Sequence, residues 1–139
     1  VAEEPQVIIV DSSVWIAYFS KKKSAASEFL EQALKDGTEI AILSIILTEV
    51  LMGFREEPHF HAAQNILIRV PQIPLTTGVY IRAAILFRNL LRRVVSVRGA
   101  IDCVIAQTCI ETEAELFTLD RDFHNIAQYS PLKLLHLKQ

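Results

Sequence analysis

The stretch Val7–Ser20, VIIVDSSVWIAYFS, limits the possible folds more than any other part of the chain. Val7-Ile8-Ile9-Val10 is apolar without alternation, and a strand of that kind must be covered on both faces, as in a parallel α/β sheet. Asp11-Ser12-Ser13 are residue types that open helices, and Val14–Phe19 reads as the helix they open. Asp11 is the only charge in the stretch. A carboxylate at the carboxyl end of a central strand stands where open α/β sheets bind ligands. It could equally do no more than cap the helix.

The 139 residues amount to one domain, 1–139, with 51% hydrophobic residues and few Gly or Pro, which is a globular composition. No apolar run reaches the ~20 residues of a membrane span. The longest, Ile40–Phe54, is too short and carries Glu49. The start, VAEEPQ, is acidic and lacks the basic segment of a signal peptide. Cys103 and Cys109 fall on different sides of one predicted helix, so free thiols in a reducing, cytoplasmic setting are expected. The net charge of −2 argues against a polyanionic partner only if the acids are spread evenly. With five acids gathered in one site, the remaining surface carries fourteen basic groups against eleven acidic ones.

Strands and helices alternate along the chain. Helical periodicity predicts helices over Ala25–Lys35, Ile45–Glu56, His59–Val70, Thr77–Val94, Ala100–Glu111 and Phe123–Gln128. Ser44 is the expected cap of the second of these. Further strands are predicted at Glu39–Leu43, Pro71–Thr76, Glu115–Leu119 and Leu132–Leu135. Such alternation gives a parallel sheet with helices on both faces. The Thr77–Val94 helix has more apolar surface than one face can bury, which points to a second contact such as a dimer interface.

The pattern of Asp11 recurs. Glu49 is the only charge between Ile40 and Phe54, and Asp102 is alone among Ile101, Cys103, Val104 and Ile105. Asp120 and Asp122 bracket a strand end and a helix start. Each has a bland reading: an arginine partner for Glu49, helix-dipole complementarity for Asp102, a cap for Asp122. Together they fall at one rim of a parallel sheet. Carboxylates that close cannot all stay ionised without a cation. An all-oxygen donor set favours Mg²⁺ or Mn²⁺ over zinc. His59 and His61 do not share a helix face and read as surface residues. Such a centre can activate water for in-line displacement at phosphorus.

VIIVDSSVWIAYF, the Ser44–Gly53 helix with Glu49, Arg98-x-x-x-Asp102-x-x-Ile105-Ala106 and Thr118-Leu119-Asp120-Arg121-Asp122-Phe123 together resemble the PIN domain. The resemblance is closest to VapC-type toxins, runs in order and spans nearly the whole chain. It implies a three-layer α/β/α fold around a five-stranded, mostly parallel sheet, and Mg²⁺- or Mn²⁺-dependent endoribonuclease action on structured RNA. It implies that Asp11, Glu49, Asp102 and Asp120 are the metal-binding, catalytic acids, with Asp122 a more variable fifth. Ser13 and Thr118 match positions that support the acids by hydrogen bonds. Gln107 and Cys109 depart from the pattern, which often has small residues there.

An aspartyl phosphatase would want a second Asp at Ser13 and a supporting Lys; a phospho-receiver would want paired acids and a later Lys. Neither set is present. A PIN scaffold that binds RNA without cutting it would keep costly carboxylates idle. Lys21-Lys22-Lys23, Arg98 and Arg121 could hold RNA phosphates, or be ordinary solvated charges. The toxin resemblance implies an antitoxin partner. Trp15, Tyr18, Phe19, Leu47, Val50, Leu51 and Phe54 cannot all face one core, so some are expected to line an apolar groove for a partner helix.

Overall fold

The structure, a computed structural model, describes residues 6–93 and 99–137. The central strand is β1 (Ile8–Val10), with each residue buried, as the unalternating run requires. It lies parallel between β2 (Ile40–Ala41) and β3 (Glu115–Phe117), and β4 (Lys133–Leu134) extends β3 in parallel, giving the order β2-β1-β3-β4. The helices are α1 (Ser12–Phe19), α2 (Ala25–Asp36), α3 (Ser44–Leu51), α4 (Glu57–Leu67), α5 (Thr77–Arg92), α6 (Ala100–Thr112) and α7 (Asp122–Gln128). α1 packs on α2 and α3, and α6 packs on α5 and α7. Ile9, Val10, Trp15, Leu116 and Phe123 are among the fully buried residues between these layers.

The sheet has four strands among the described residues, where five were expected. The segment predicted at Pro71–Thr76 remains as one parallel bridge, Ile42 to Gln72, beside the β2 edge. Pro71 and Pro74 have no N–H to donate, so a ladder cannot continue through them.

α3 is shorter than its periodicity predicts, ending at Leu51 before a turn through Met52 and Gly53. Ser44 is its first residue and not its cap; the Ser44 hydroxyl donates to Gln72 Oε1 at 2.9 Å. α2 is better specified. Ser24 and Ser27 form a reciprocal capping box, and Gly37 closes the helix in the left-handed region at φ 80°. α6 runs unbroken through both departures from the family pattern: Cys109 is buried and Gln107 donates to Glu111. α5 leaves Tyr80, Ile81, Ile85 and Leu91 exposed. Val94, placed in that helix by the sequence, lies outside the described residues. No helix among the described residues is long and apolar enough to cross a membrane.

Candidate metal centre

Asp11 follows β1 directly, and its backbone N–H donates to the Phe117 carbonyl of β3 at 2.9 Å. It occupies the residue before α1, yet its side chain makes no capping bond. The carboxylate, 4% exposed, instead accepts two hydroxyls at the same oxygen: Ser13 Oγ and Thr118 Oγ1 each donate to Oδ2 at 2.9 Å. Those hydroxyls accept in turn. Leu119 N–H donates to Ser13 Oγ at 2.9 Å, and Asp120 N–H donates to Thr118 Oγ1 at 3.0 Å. Each hydroxyl proton is therefore committed to Asp11 while its lone pairs receive backbone amides. This network joins the end of β1 to the segment after β3.

Asp102, Asp120 and Asp122 each bring a carboxylate oxygen within 4.8 Å of the other two. They arrive from different elements: Asp102 from the first turn of α6, Asp120 from the loop after β3, Asp122 from the start of α7. Asp120 also shapes its own surroundings, because its Oδ1 accepts the Asp122 N–H at 2.9 Å in an Asx turn that leads into α7. Glu49, half-buried on α3, is not one of that trio but lies near enough to Asp11 and Asp102 to feel their charges. Its Oε1 is buried and has no hydrogen-bond partner, and no basic residue pairs with it among the described residues. Burial raises its pKa, and the charges of Asp11 and Asp102 raise it further. The arginine partner that would have made Glu49 structural is thus missing from the described residues.

Two thiols sense the same field. Cys103 is pushed up to about 11 by burial and by Asp102. Cys109 is pushed up to about 12 by burial and by Asp11. Both are free and buried.

A converging set of carboxylates with one orphaned buried oxygen fits a hard divalent cation, and nothing softer than oxygen belongs to it. His59 and His61 are exposed beside Glu56 and Glu57, at 3.8 and 3.2 Å, as surface residues.

The basic residues divide. Arg121 is exposed between Asp120 and Asp122. Lys21, Lys22 and Lys23 are not brought to the acids. They lie past the far end of α1, roughly 12 Å of helix from Asp11, around a depression shared with Glu28 and Glu31. Arg98 lies outside the described residues. Of the seven apolar residues expected near a groove, Trp15, Val50 and Leu51 are core, while Tyr18, Phe19, Leu47 and, past the end of α3, Phe54 are half-buried. The backbone amides of Leu119 and Asp120 escaped the sequence reading. Their only signal is a hydroxyl residue placed near an Asp at both strand ends.

A profile of the PIN domain matches residues 8–129. Ribonuclease VapC11 of Mycobacterium tuberculosis is 27% identical over 129 residues, covering 91% of this chain and 96% of the relative. Among solved structures, VapBC2 from Rickettsia felis, bound to a DNA fragment from its promoter, superposes with a TM-score of 0.76 at 20% identity, over 95% of this chain and 99% of that one. VapC20 of Mycobacterium tuberculosis, described as a sarcin–ricin loop cleaving toxin, gives a TM-score of 0.65 at 15% identity, over 84% and 92%.

Proposed function

Because the chain belongs to the PIN-domain family, we propose that it is a divalent-metal-dependent endoribonuclease acting as the toxin of a toxin–antitoxin pair. The observation that carries this reading is the convergence of Asp102, Asp120 and Asp122 beside the orphaned Glu49 oxygen. The VapC ribonuclease relative and the VapBC structural neighbours support it. The acids Asp102, Asp120 and Asp122, with Asp11 and Glu49, would hold Mg²⁺ or Mn²⁺. A divalent ion so held supplies an activated water and charge stabilisation at a scissile phosphodiester.

The chain's own residues prepare that chemistry. Ser13 and Thr118 fix the rotamer of Asp11, the usual task of partners behind a ligand. Asp120 is held by Asp122 N–H, so that carboxylate is preorganised by backbone and not by a long flexible side chain. Glu49 Oε1, with its raised pKa, takes up a proton more readily than an exposed carboxylate. Arg121, exposed between two of the acids, suits contact with substrate phosphate. Structured RNA as substrate draws support from the loop-cleaving VapC20 neighbour.

The antitoxin would cover the α1–α3 surface. Phe19 stacks edge-on with Phe54, ring centroids 5.7 Å apart, while Ile16 is exposed on α1 and Met52 in the turn after α3. An amphipathic partner helix could bury such a surface beside Glu49, in the last turn of α3. A homodimer would use the exposed Tyr80, Ile81 and Ile85 of α5. Buried free thiols fit a reducing cytoplasm.

Incubation with total RNA in Mg²⁺, Mn²⁺ or EDTA, followed by mapping of new ends, tests the activity. Metal-dependent ends that vanish with Asp102→Asn are expected. Identical end maps in EDTA and in metal would exclude the mechanism, and ends absent throughout would leave an RNA-binding scaffold. Co-expression with the neighbouring gene, followed by pull-down, tests the partner.

A further inference from the structure

α5 carries three arginines, Arg82, Arg88 and Arg92, and no acid, and Arg93 follows its last residue. Arg82 is committed, donating from Nε and Nη2 to Glu111 at 2.9 and 2.6 Å. The other three are exposed, and none is paired with a carboxylate among the described residues. The Arg82–Glu111 bond joins α5 to the end of α6, and Arg88, further along α5, lines a cavity with Ala100 and Val104 near the start of α6. The arginine-bearing end of α5 therefore lies at the end of α6 that carries Asp102. Arg93 reaches α7 as well: its guanidinium carbon stands 5.6 Å from the centroid of the Tyr129 ring. Tyr129 follows the last turn of α7, roughly 10 Å of helix from Asp122. Its ring is 42% exposed, so packing of the core does not account for it.

We infer that the Arg93–Tyr129 stack, flanked by Arg88 and Arg92, holds unpaired nucleotides of the RNA next to the scissile phosphate. The identity of the ligand rests on the nuclease reading above. The chemistry supports it in three ways. A cluster of carboxylates repels a polyanion, so a nuclease of net charge −2 needs local positive charge beside the cleft. Guanidinium binds phosphate bidentately and stacks on planar rings, which ammonium cannot do. An exposed aromatic ring beside arginines is the platform on which unpaired bases stack, and RNA is recognised chiefly through such bases.

The test is fluorescence anisotropy of the full chain with a labelled single-stranded RNA in EDTA, where cleavage is silent, across a salt series. Arg93→Gln should reduce the slope of log affinity against log salt by about one. Tyr129→Ala should weaken binding about tenfold with the slope unchanged. Tyr129→Phe should bind like the parent, which separates a lost ring from a damaged fold. Parental affinity and slope in both Arg93→Gln and Tyr129→Ala would overturn the inference, as would a change in oligomeric state without a change in RNA binding. Parallel cleavage assays in Mg²⁺ and Mn²⁺ separate the two ideas. RNA held through this surface but never cut would sink the nuclease reading alone. Cutting by the parent, with binding indifferent to both variants, would sink this inference alone.

Discussion

Thr118→Val tests how the centre is held together. The substitution keeps the shape of the side chain and removes one hydroxyl, which donates to Asp11 Oδ2 at 2.9 Å and accepts from Asp120 N–H at 3.0 Å. A hydrogen bond to a charged group contributes about 1.5–3 kcal/mol and a neutral one about 0.5–1.5. Thr118 is half-buried, so the low end of each range applies, and the expected loss is about 2 kcal/mol. For a chain of this size, between the two surveyed size classes, that lowers Tm by roughly 8 °C. Ser13 donates to the same Asp11 oxygen, so it compensates in part, and Ser13→Ala with Thr118→Val should lose more than the two single losses added. Thr118→Ser restores the hydroxyl and should recover most of the stability. Trp15, the only tryptophan and fully buried, makes its emission a direct reporter of unfolding in EDTA. A Thr118→Val melt that matches the parent would show that the hydroxyl is not holding Asp11 in solution.

Glu49→Gln should act in the opposite direction, raising the metal-free midpoint at neutral pH. The folded-state pKa of Glu49 is raised by burial first and by Asp11 and Asp102 after it, so the parent gains stability as pH falls through that pKa. The advantage of the variant must therefore shrink on acidification; one that grows would reverse the sign of the coupling. Saturating Mg²⁺ or Mn²⁺ should raise the parental midpoint, by about 2.7 kcal/mol of stability at a hundred times Kd, and Asp102→Asn should lose most of that shift; calorimetric titration showing no heat with either ion would remove the metal. Cys103 and Cys109, buried and pushed up to about 11 and about 12, should resist iodoacetamide in the native protein and react fully in denaturant, read by intact mass. Prompt native labelling of either would contradict its burial.

Asp11, Glu49 and Asp102 stood out because each is alone in an apolar run, where a charge without a purpose costs stability, and Asp120 and Asp122 by their place at a strand end. Their grouping was not. Periodicity cannot show that Asp102, Asp120 and Asp122 share one oxygen cage while Asp11 is tied up by two hydroxyls. The central strand was legible from VIIV because nothing but a doubly covered position suits it. Pro71–Thr76 misled, since a short apolar run between prolines looks like a strand until its missing N–H groups are counted. Glu39–Leu43 reads as five strand residues, yet only Ile40 and Ala41 enter the ladder. The run continues into Leu43, which already precedes α3. The lysine run, which could hold RNA or be ordinary solvated charge, lies apart from the acids for a directional reason: closeness in sequence to Asp11 is distance in space once a helix intervenes.

The order β2-β1-β3-β4 has a temporal meaning. Of the four strands β1 is made first, but one of its two neighbours is β3, the third to be made. Asp11 cannot meet Thr118 until 107 further residues have been made, roughly 5 to 20 s at ordinary rates of synthesis. Throughout that interval α1 and α2 can already pair locally, while the carboxylates remain scattered along an unfinished chain. The nascent polypeptide is thus born disarmed, and whatever recognises its early helices has a head start over the assembly of its centre.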